Sequence, residues 1–133
     1  MKVLLINGSP RKKGNTFLAL SEAAKTLEQQ GIETEIVQIG VKPVRGCIAC
    51  AQCKIKQLNR CVFDDDICNR ISEKLDDVDA LIVGSPVYYG QPNGSVLSSY
   101  CSPRPWPLRL SHFTIMERRP ELTIIAGPNG DAL

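Results

Sequence analysis

Residues 2–16 read KVLLINGSPRKKGNT. The opening run KVLLI is apolar and rich in β-branched and aliphatic residues, the pattern of a short strand covered on both faces. Asn7 and Gly8 close the run. Asn15 or Thr16 is then placed to cap a helix in which Phe17, Leu20, Ala24 and Leu27 recur at helical spacing until Gly31 stops the pattern. A second run of the same kind, residues 80–84 (ALIVG), lies further along. Between the two, residues 33–39 (ETEIVQI) interleave Ile36, Val37 and Ile39 with polar side chains, as suits a strand at a sheet edge. Asp64, Asp65 and Asp66 charge and cap a second helix, whose Ile67, Ile71 and Leu75 form one apolar stripe ending near Asp77. The order strand, helix, strand, helix, strand implies right-handed crossovers. It predicts an α/β fold with a doubly wound parallel sheet, ordered 2-1-3, with the first strand central.

The whole chain has 133 residues and 14.6 kDa, 43% hydrophobic and 23% charged, which fits one ordinary soluble domain. Its net charge of +2 is too small for a protein built to neutralise a nucleic-acid backbone. The longest apolar runs, residues 3–6 and 80–83, fall far short of the roughly 20 residues that cross a bilayer. The N-terminus lacks the basic and long apolar regions of a secretory signal, so the expected compartment is the cytoplasm. In that reducing setting the six cysteines are not expected to be a disulfide framework.

Two loops leave the carboxyl ends of the buried strands. Residues 7–16 (NGSPRKKGNT) lead into a helix N-terminus, where free amides and the helix dipole favour a phosphate. Gly8 and Gly14 permit unusual backbone angles, Ser9, Asn15 and Thr16 offer hydrogen bonds to phosphate oxygens, and Arg11, Lys12 and Lys13 add positive charge. A plain strand-to-helix turn with solvated basic residues is the alternative. The spacing is neither that of the dinucleotide GxGxxG turn nor that of the nucleoside-triphosphatase loop. Residues 84–94 (GSPVYYGQPNG) emerge beside the first loop, at the switch point where strand order reverses and ligands are expected. Tyr88 and Tyr89 would offer flat aromatic surface to a planar heteroaromatic ring, with Pro86 and Pro92 stiffening the loop, or would simply cap the sheet.

Between the second strand and the second helix, residues 40–63 form a long loop in which Cys47, Cys50, Cys53 and Cys61 stand as CxxCxxC, seven residues, and a fourth Cys. Thiolates at this density suit a [4Fe-4S] cluster. Zinc is the weaker reading, because structural zinc usually draws on two separated pairs. Free thiols in a loop are the third. Lys42, Arg45, Lys54, Lys56 and Arg60 would balance an anionic cluster, meet an acidic redox partner or the phosphates of NADPH, or remain a solvated face. Cys68 reads as a small packing residue on the second helix, and Cys101 is assigned no role.

With GSPRKKGNT after a KVLLIN strand, CxxCxxC followed by DDD and a helix, and GSPVYYGQPNG after ALIV, the chain resembles the flavodoxin-like NADPH-dependent FMN reductases, in particular their iron-sulfur flavoprotein branch. The resemblance covers residues 1 to about 98. It implies FMN, with Ser9, Arg11, Gly14, Asn15 and Thr16 around the phosphate and Pro86, Val87, Tyr88, Tyr89 and Gly90 around the ring system. It implies a [4Fe-4S] cluster on Cys47, Cys50, Cys53 and Cys61, NADPH or NADH as electron donor, and a small-molecule or protein electron acceptor. It also implies a homodimer or homotetramer with the flavin near a subunit interface. The expected activity is that of an FMN-dependent oxidoreductase; a non-catalytic, flavodoxin-like electron carrier and a truncated copy with impaired cofactor binding are its rivals. No side chain is singled out as acid, base or nucleophile.

Residues 1–98 therefore read as a flavodoxin-like FMN-binding domain, and residues 99–133 as an atypical tail. The tail holds five of the nine prolines and four of the eight arginines but no lysine, and residues 99–119 keep neither a helical nor a strand period. Such text is what a shifted reading frame produces, so a frameshift or truncation near Ser98 is expected, leaving the fold incomplete at its C-terminus. Residues 122–126 (LTIIA) alone could supply a fourth strand.

Overall fold

The computed structural model describes residues 1–39, 42–58 and 60–99. Strands β1 (Lys2–Asn7), β2 (Glu33–Gln38) and β3 (Ala80–Gly84) form a sheet ordered β2-β1-β3. Both pairings are parallel, with Leu5 opposite Ile36 on one side and Ile82 on the other. The expected order and the central position of the first strand are thus present. Two further strands, β4 (Val87–Tyr88) and β5 (Gln91–Pro92), make a separate antiparallel hairpin that the sequence reading treated as loop. The atypical tail beyond Ser99, with its 122–126 strand and Cys101, lies outside the described residues.

Alternation along β1 explains why the strand reads as wholly apolar. Val3 and Leu5 pack with Leu20 and Ala24 of α1 (Asn15–Gln29) on one face. Leu4 and Ile6 pack on the other face with Ile71 of α3 (Cys68–Leu75) and Val96 of α4 (Gly94–Ser99). Each face is covered by a helix, so neither set of side chains needs to be polar. Helix α1 ends where Gly31 adopts φ 75°, its N–H donating to Glu28 and that of Ile32 to Leu27. This double bond at a left-handed glycine is the Schellman termination that Gly31 predicted.

Two helix starts differ from expectation. The N-cap of α1 is Gly14, not Asn15 or Thr16, and no side chain caps it. The N-cap of α3 is Ile67, so the three aspartates precede the helix, and it is Asp66 that reaches its start by accepting Cys68 N–H. A short helix, α2 (Gln52–Ile55), interrupts the cysteine loop.

Candidate functional site

The two loops at the carboxyl edge of the sheet are stitched together. Gly8 N–H donates to Gly84 O at 2.7 Å, and Asn93 Nδ2 donates to Gly8 O at 2.8 Å. Asn93 N–H in turn donates to Ser85 Oγ at 2.9 Å, and Asn93 Oδ1 accepts Ser95 N–H at 3.1 Å at the start of α4. On the β2 side, Asn7 Nδ2 donates to Gln38 Oε1 at 2.6 Å, Asn7 Oδ1 accepts Ser9 N–H at 3.0 Å, and Gln38 Nε2 donates to Ser9 O. Asn7 and Ser85 are buried. These side chains hold the loop backbone much as a neighbouring strand would, satisfying polar groups that the end of the sheet leaves over. Sequence alone assigns no site role to Asn7, Gln38, Ser85 or Asn93. Asn7 and Asn93 lay inside the quoted loops, whereas Gln38 carried no signal of its partner.

Gly8 is needed for space and not for an unusual angle, and Gly14 is less constrained, a Cβ there falling 3.2 Å from Arg11 Cβ. Neither has positive φ, and Gly14 is extended at φ −85°, ψ −177°. A Cβ on Gly8 would fall 2.1 Å from Val96 Cγ2 and 3.0 Å from Gly84 O. One on Gly84 would fall 2.9 Å from Thr16 Cγ2 and 3.0 Å from Leu20 Cδ1. The strand ends, the first loop and α4 therefore approach one another at glycine distance.

Of the residues expected around a phosphate, Ser9 and Thr16 are buried, Gly14 is half-buried, and Arg11 and Asn15 are exposed. Ser9 Oγ accepts Arg11 N–H at 3.2 Å and so shapes the turn itself. Of those expected around a ring, Pro86 and Val87 are half-buried. Tyr88 and Tyr89 are exposed and do not cap the sheet. Tyr89 and Gly90 form the two-residue turn of the hairpin with φ 52° and 76°. Positive φ at both positions matches the twist of the flanking strands, although a Tyr-Gly pair advertises it weakly.

The cysteine loop is held differently. Cys47, Cys50, Cys53 and Cys61 all line one cavity of about 430 Å³, and Cys68 lines it too. All five are free thiols. Ala49, Ala51 and Gln57 adopt φ 54°, 57° and 53°, left-handed values that L-residues rarely take. The three aspartates tie this loop down. Asp66 accepts Arg45 N–H at 2.7 Å with one oxygen and Cys68 N–H at 2.8 Å with the other. Asp65 pairs with the Arg45 guanidinium, which lies 4.7 Å above the Phe63 ring. Asp64 pairs with Arg60 at 2.5 Å and accepts Asn69 Nδ2 at 2.9 Å. The Asn69 amide and the Arg60 guanidinium hold the Asp64 carboxyl below the usual aspartate range, and Arg45 does the same for Asp65. The Arg45 guanidinium is held above its ordinary value by the hydrogen bond and charge of Asp65.

A family model described as NADPH-dependent FMN reductase matches residues 1–98. The chain belongs to the NADPH-dependent FMN reductase family. Among the relatives of this chain are an iron-sulfur flavoprotein of Methanocaldococcus jannaschii, 42% identical over 90 residues, and one of Archaeoglobus fulgidus, 42% identical over 89 residues. The matches cover 68% and 67% of this chain, and 45% and 39% of those proteins. An iron-sulfur flavoprotein of Methanosarcina thermophila is 39% identical over 90 residues, which are 68% of this chain and 46% of that protein. The chain thus spans less than half the length of these relatives. No solved structure matches it.

The residues fit the groups that the family name raises. At the start of α1 the first amides have no side-chain cap, no acidic residue occupies the first turn, and Arg11, Lys12 and Lys13 lie alongside, which suits a phosphate. Among the described residues no three Cys, His, Asp or Glu side chains converge as a single ion requires. A cluster spreads its thiolates over separate irons, so four cysteines around the wall of one cavity suit its chemistry. No helix among the described residues is long and apolar enough to cross a membrane.

Proposed function

We propose that this chain is an FMN-dependent oxidoreductase that draws electrons from NADPH or NADH and delivers them to a small-molecule or protein acceptor, with a [4Fe-4S] cluster on Cys47, Cys50, Cys53 and Cys61 as the second centre. The observation that carries the reading is the stitching of the two loops at the switch point through Gly8, Gly84 and Asn93, since open α/β sheets bind ligands at that point. Ser9, Arg11, Gly14, Asn15 and Thr16 take the phosphate, through the amides opening α1 and the cationic side chains beside them. Pro86, Val87, Tyr88, Tyr89 and Gly90 border the ring system, with the hairpin turn fixing where the tyrosines stand. FMN, when bound, supplies hydride acceptance and one-electron release, and the protein contributes its position and electrostatics. A cluster supplies one-electron transfer, and the Arg45 and Lys54 side chains at its cavity offset its negative charge. The exposed Tyr88, Tyr89 and Leu97 favour assembly as a homodimer or homotetramer across this edge.

The test is the visible absorption of the protein purified without oxygen, followed by quantification of released FMN and iron. Flavin bands with a broad shoulder and about four irons per chain support both centres. Flavin without iron removes the cluster, and a folded protein that takes up neither removes the whole reading. NADPH oxidation without an added partner protein separates a reductase from a non-catalytic electron carrier.

A further inference from the structure

Asn69 sits in the first turn of α3 and is 2% exposed, a burial that an amide tolerates only when its hydrogen bonds are made. Its Oδ1 accepts Cys61 N–H at 2.8 Å. Its Nδ2 donates towards Cys61 O at 3.2 Å, Phe63 O at 2.9 Å and Asp64 Oδ1 at 2.9 Å. The amide therefore engages both backbone polar groups of Cys61, as the next strand of a sheet would, at a residue that lies in no helix or strand. Its carrier is anchored, because Ile71 on the same helix is buried in the core against the sheet. Cys47, Cys50 and Cys53 sit close together in sequence, whereas Cys61 is the distant member of the set. We propose that Asn69 is the positioning residue that fixes Cys61 at the cysteine cavity, so that the packing of α3 on the sheet sets where the fourth thiol stands.

The chemistry of the amide is specific. Aspartate in its place would keep the acceptor for Cys61 N–H but set a negative charge against two carbonyl oxygens and the Asp64 carboxylate. Alanine would release Cys61 at both its N–H and its carbonyl. That Cys61 is a metal ligand rests on the cluster reading; that Asn69 fixes its thiol does not.

The experiment uses the full chain, reduced and metal-free, in two backgrounds. One keeps Cys61 as its only cysteine and the other keeps Cys50, the remaining cysteines being changed to Ser. Alkylation by N-ethylmaleimide is followed by mass spectrometry with Asn69, N69A and N69D, and far-UV circular dichroism monitors the fold. The expected result is Cys61 alkylation about tenfold faster in N69A and at least as fast in N69D, with Cys50 unchanged and the fold retained. A Cys61 rate that does not move in folded N69A overturns the proposal. So does an equal rise at Cys50 and Cys61, which would make Asn69 a general prop of the loop. In the six-cysteine chain reconstituted with iron and sulfide, N69A is expected to shift the low-temperature EPR signal of the reduced cluster and leave the flavin bands in place; an unshifted signal beside a faster Cys61 rate overturns Cys61 as a ligand and supports the positioning role alone. A parent chain that takes up no iron, while its Cys61 rate still answers to Asn69, defeats the cluster reading and supports the positioning role.

Discussion

The flavin edge and the cysteine loop are both irregular chain attached to the same sheet, yet different forces hold them. At the edge, Asn7, Gln38, Ser85 and Asn93 tie the loops through neutral hydrogen bonds, and Gly8 and Gly84 admit van der Waals contact with Val96, Thr16 and Leu20. In the loop, the ties run largely through carboxylates, Asp64 to Arg60, Asp65 to Arg45 and Asp66 to two backbone amides, at exposed or half-exposed positions. Ile48, Ile55 and Leu58 there stand exposed. Close packing and buried neutral bonds are insensitive to salt and to moderate changes of pH, whereas exposed ion pairs are screened and titrate. The two halves of the site should therefore fail under different conditions.

The largest effect should come from a change beneath both regions. Leu5→Ala hollows the central strand and is expected to lower unfolding stability by about 2–5 kcal/mol, read from urea unfolding. Because both loops hang on this sheet, FMN uptake and cavity integrity should be lost together; loss of one alone would show that the regions are independent of the core.

A smaller and selective effect is expected from Gly8→Ala. Its Cβ must displace Val96 or the Gly84 carbonyl, at a cost of about 1–3 kcal/mol. FMN binding, followed by fluorescence quenching, should weaken while hydrogen exchange in residues 45–66 stays as in the parent. Arg45→Met should show the reverse selectivity: faster exchange in residues 45–66, unaltered FMN binding, and a parent loop that moves towards the variant's behaviour in 1 M salt.

The smallest effect is that of pH. Asp64 and Asp65 have carboxyls held below the usual range, so their contribution is present above the unfolded-state value, about 3.9, and fades as pH falls through the folded values. Exchange in residues 45–66, taken relative to the intrinsic rate of each amide at the same pH, should be flat from neutrality down to that value and rise below it. An earlier rise, near pH 6, would mean that the aspartate ties do not govern the loop. Arg45, held above its ordinary value, loses its contribution only in strong alkali.

What was legible in the sequence follows from the same division. The runs KVLLI and ALIVG announce strands buried on both faces because packing selects residue type at every position. Gly31 announces a helix end because a left-handed backbone selects glycine. The amide ties were not legible, since an Asn or Gln carries no sign of a distant partner in any local window. Asn7 meets Gln38 across 31 positions and Asn93 meets Gly8 across 85. The three aspartates were misplaced for a related reason. Acidic residues before an apolar stripe look like a helix opening, but Arg60 and Asn69 engage Asp64 and Arg45 engages Asp65, so that it is Asp66 that reaches an amide of the helix, that of Cys68. The hairpin of residues 87–92 was hidden by its length and by a turn pair other than Asn-Gly.

The left-handed alanines of the cysteine loop carry a consequence for engineering. Each L-residue held at positive φ costs roughly 1–2 kcal/mol, so Ala49 and Ala51 work against the shape that their neighbours enforce. A segment excised without residues 64–69 would lose the ties of Asp66 to Arg45 and of Asn69 to Cys61, and with them two anchors that hold the loop's shape against that cost. The cysteine spacing alone is therefore not a portable module. Grafted onto another scaffold, it would need glycine at positions 49 and 51, or the aspartates and the anchored helix carried along with it.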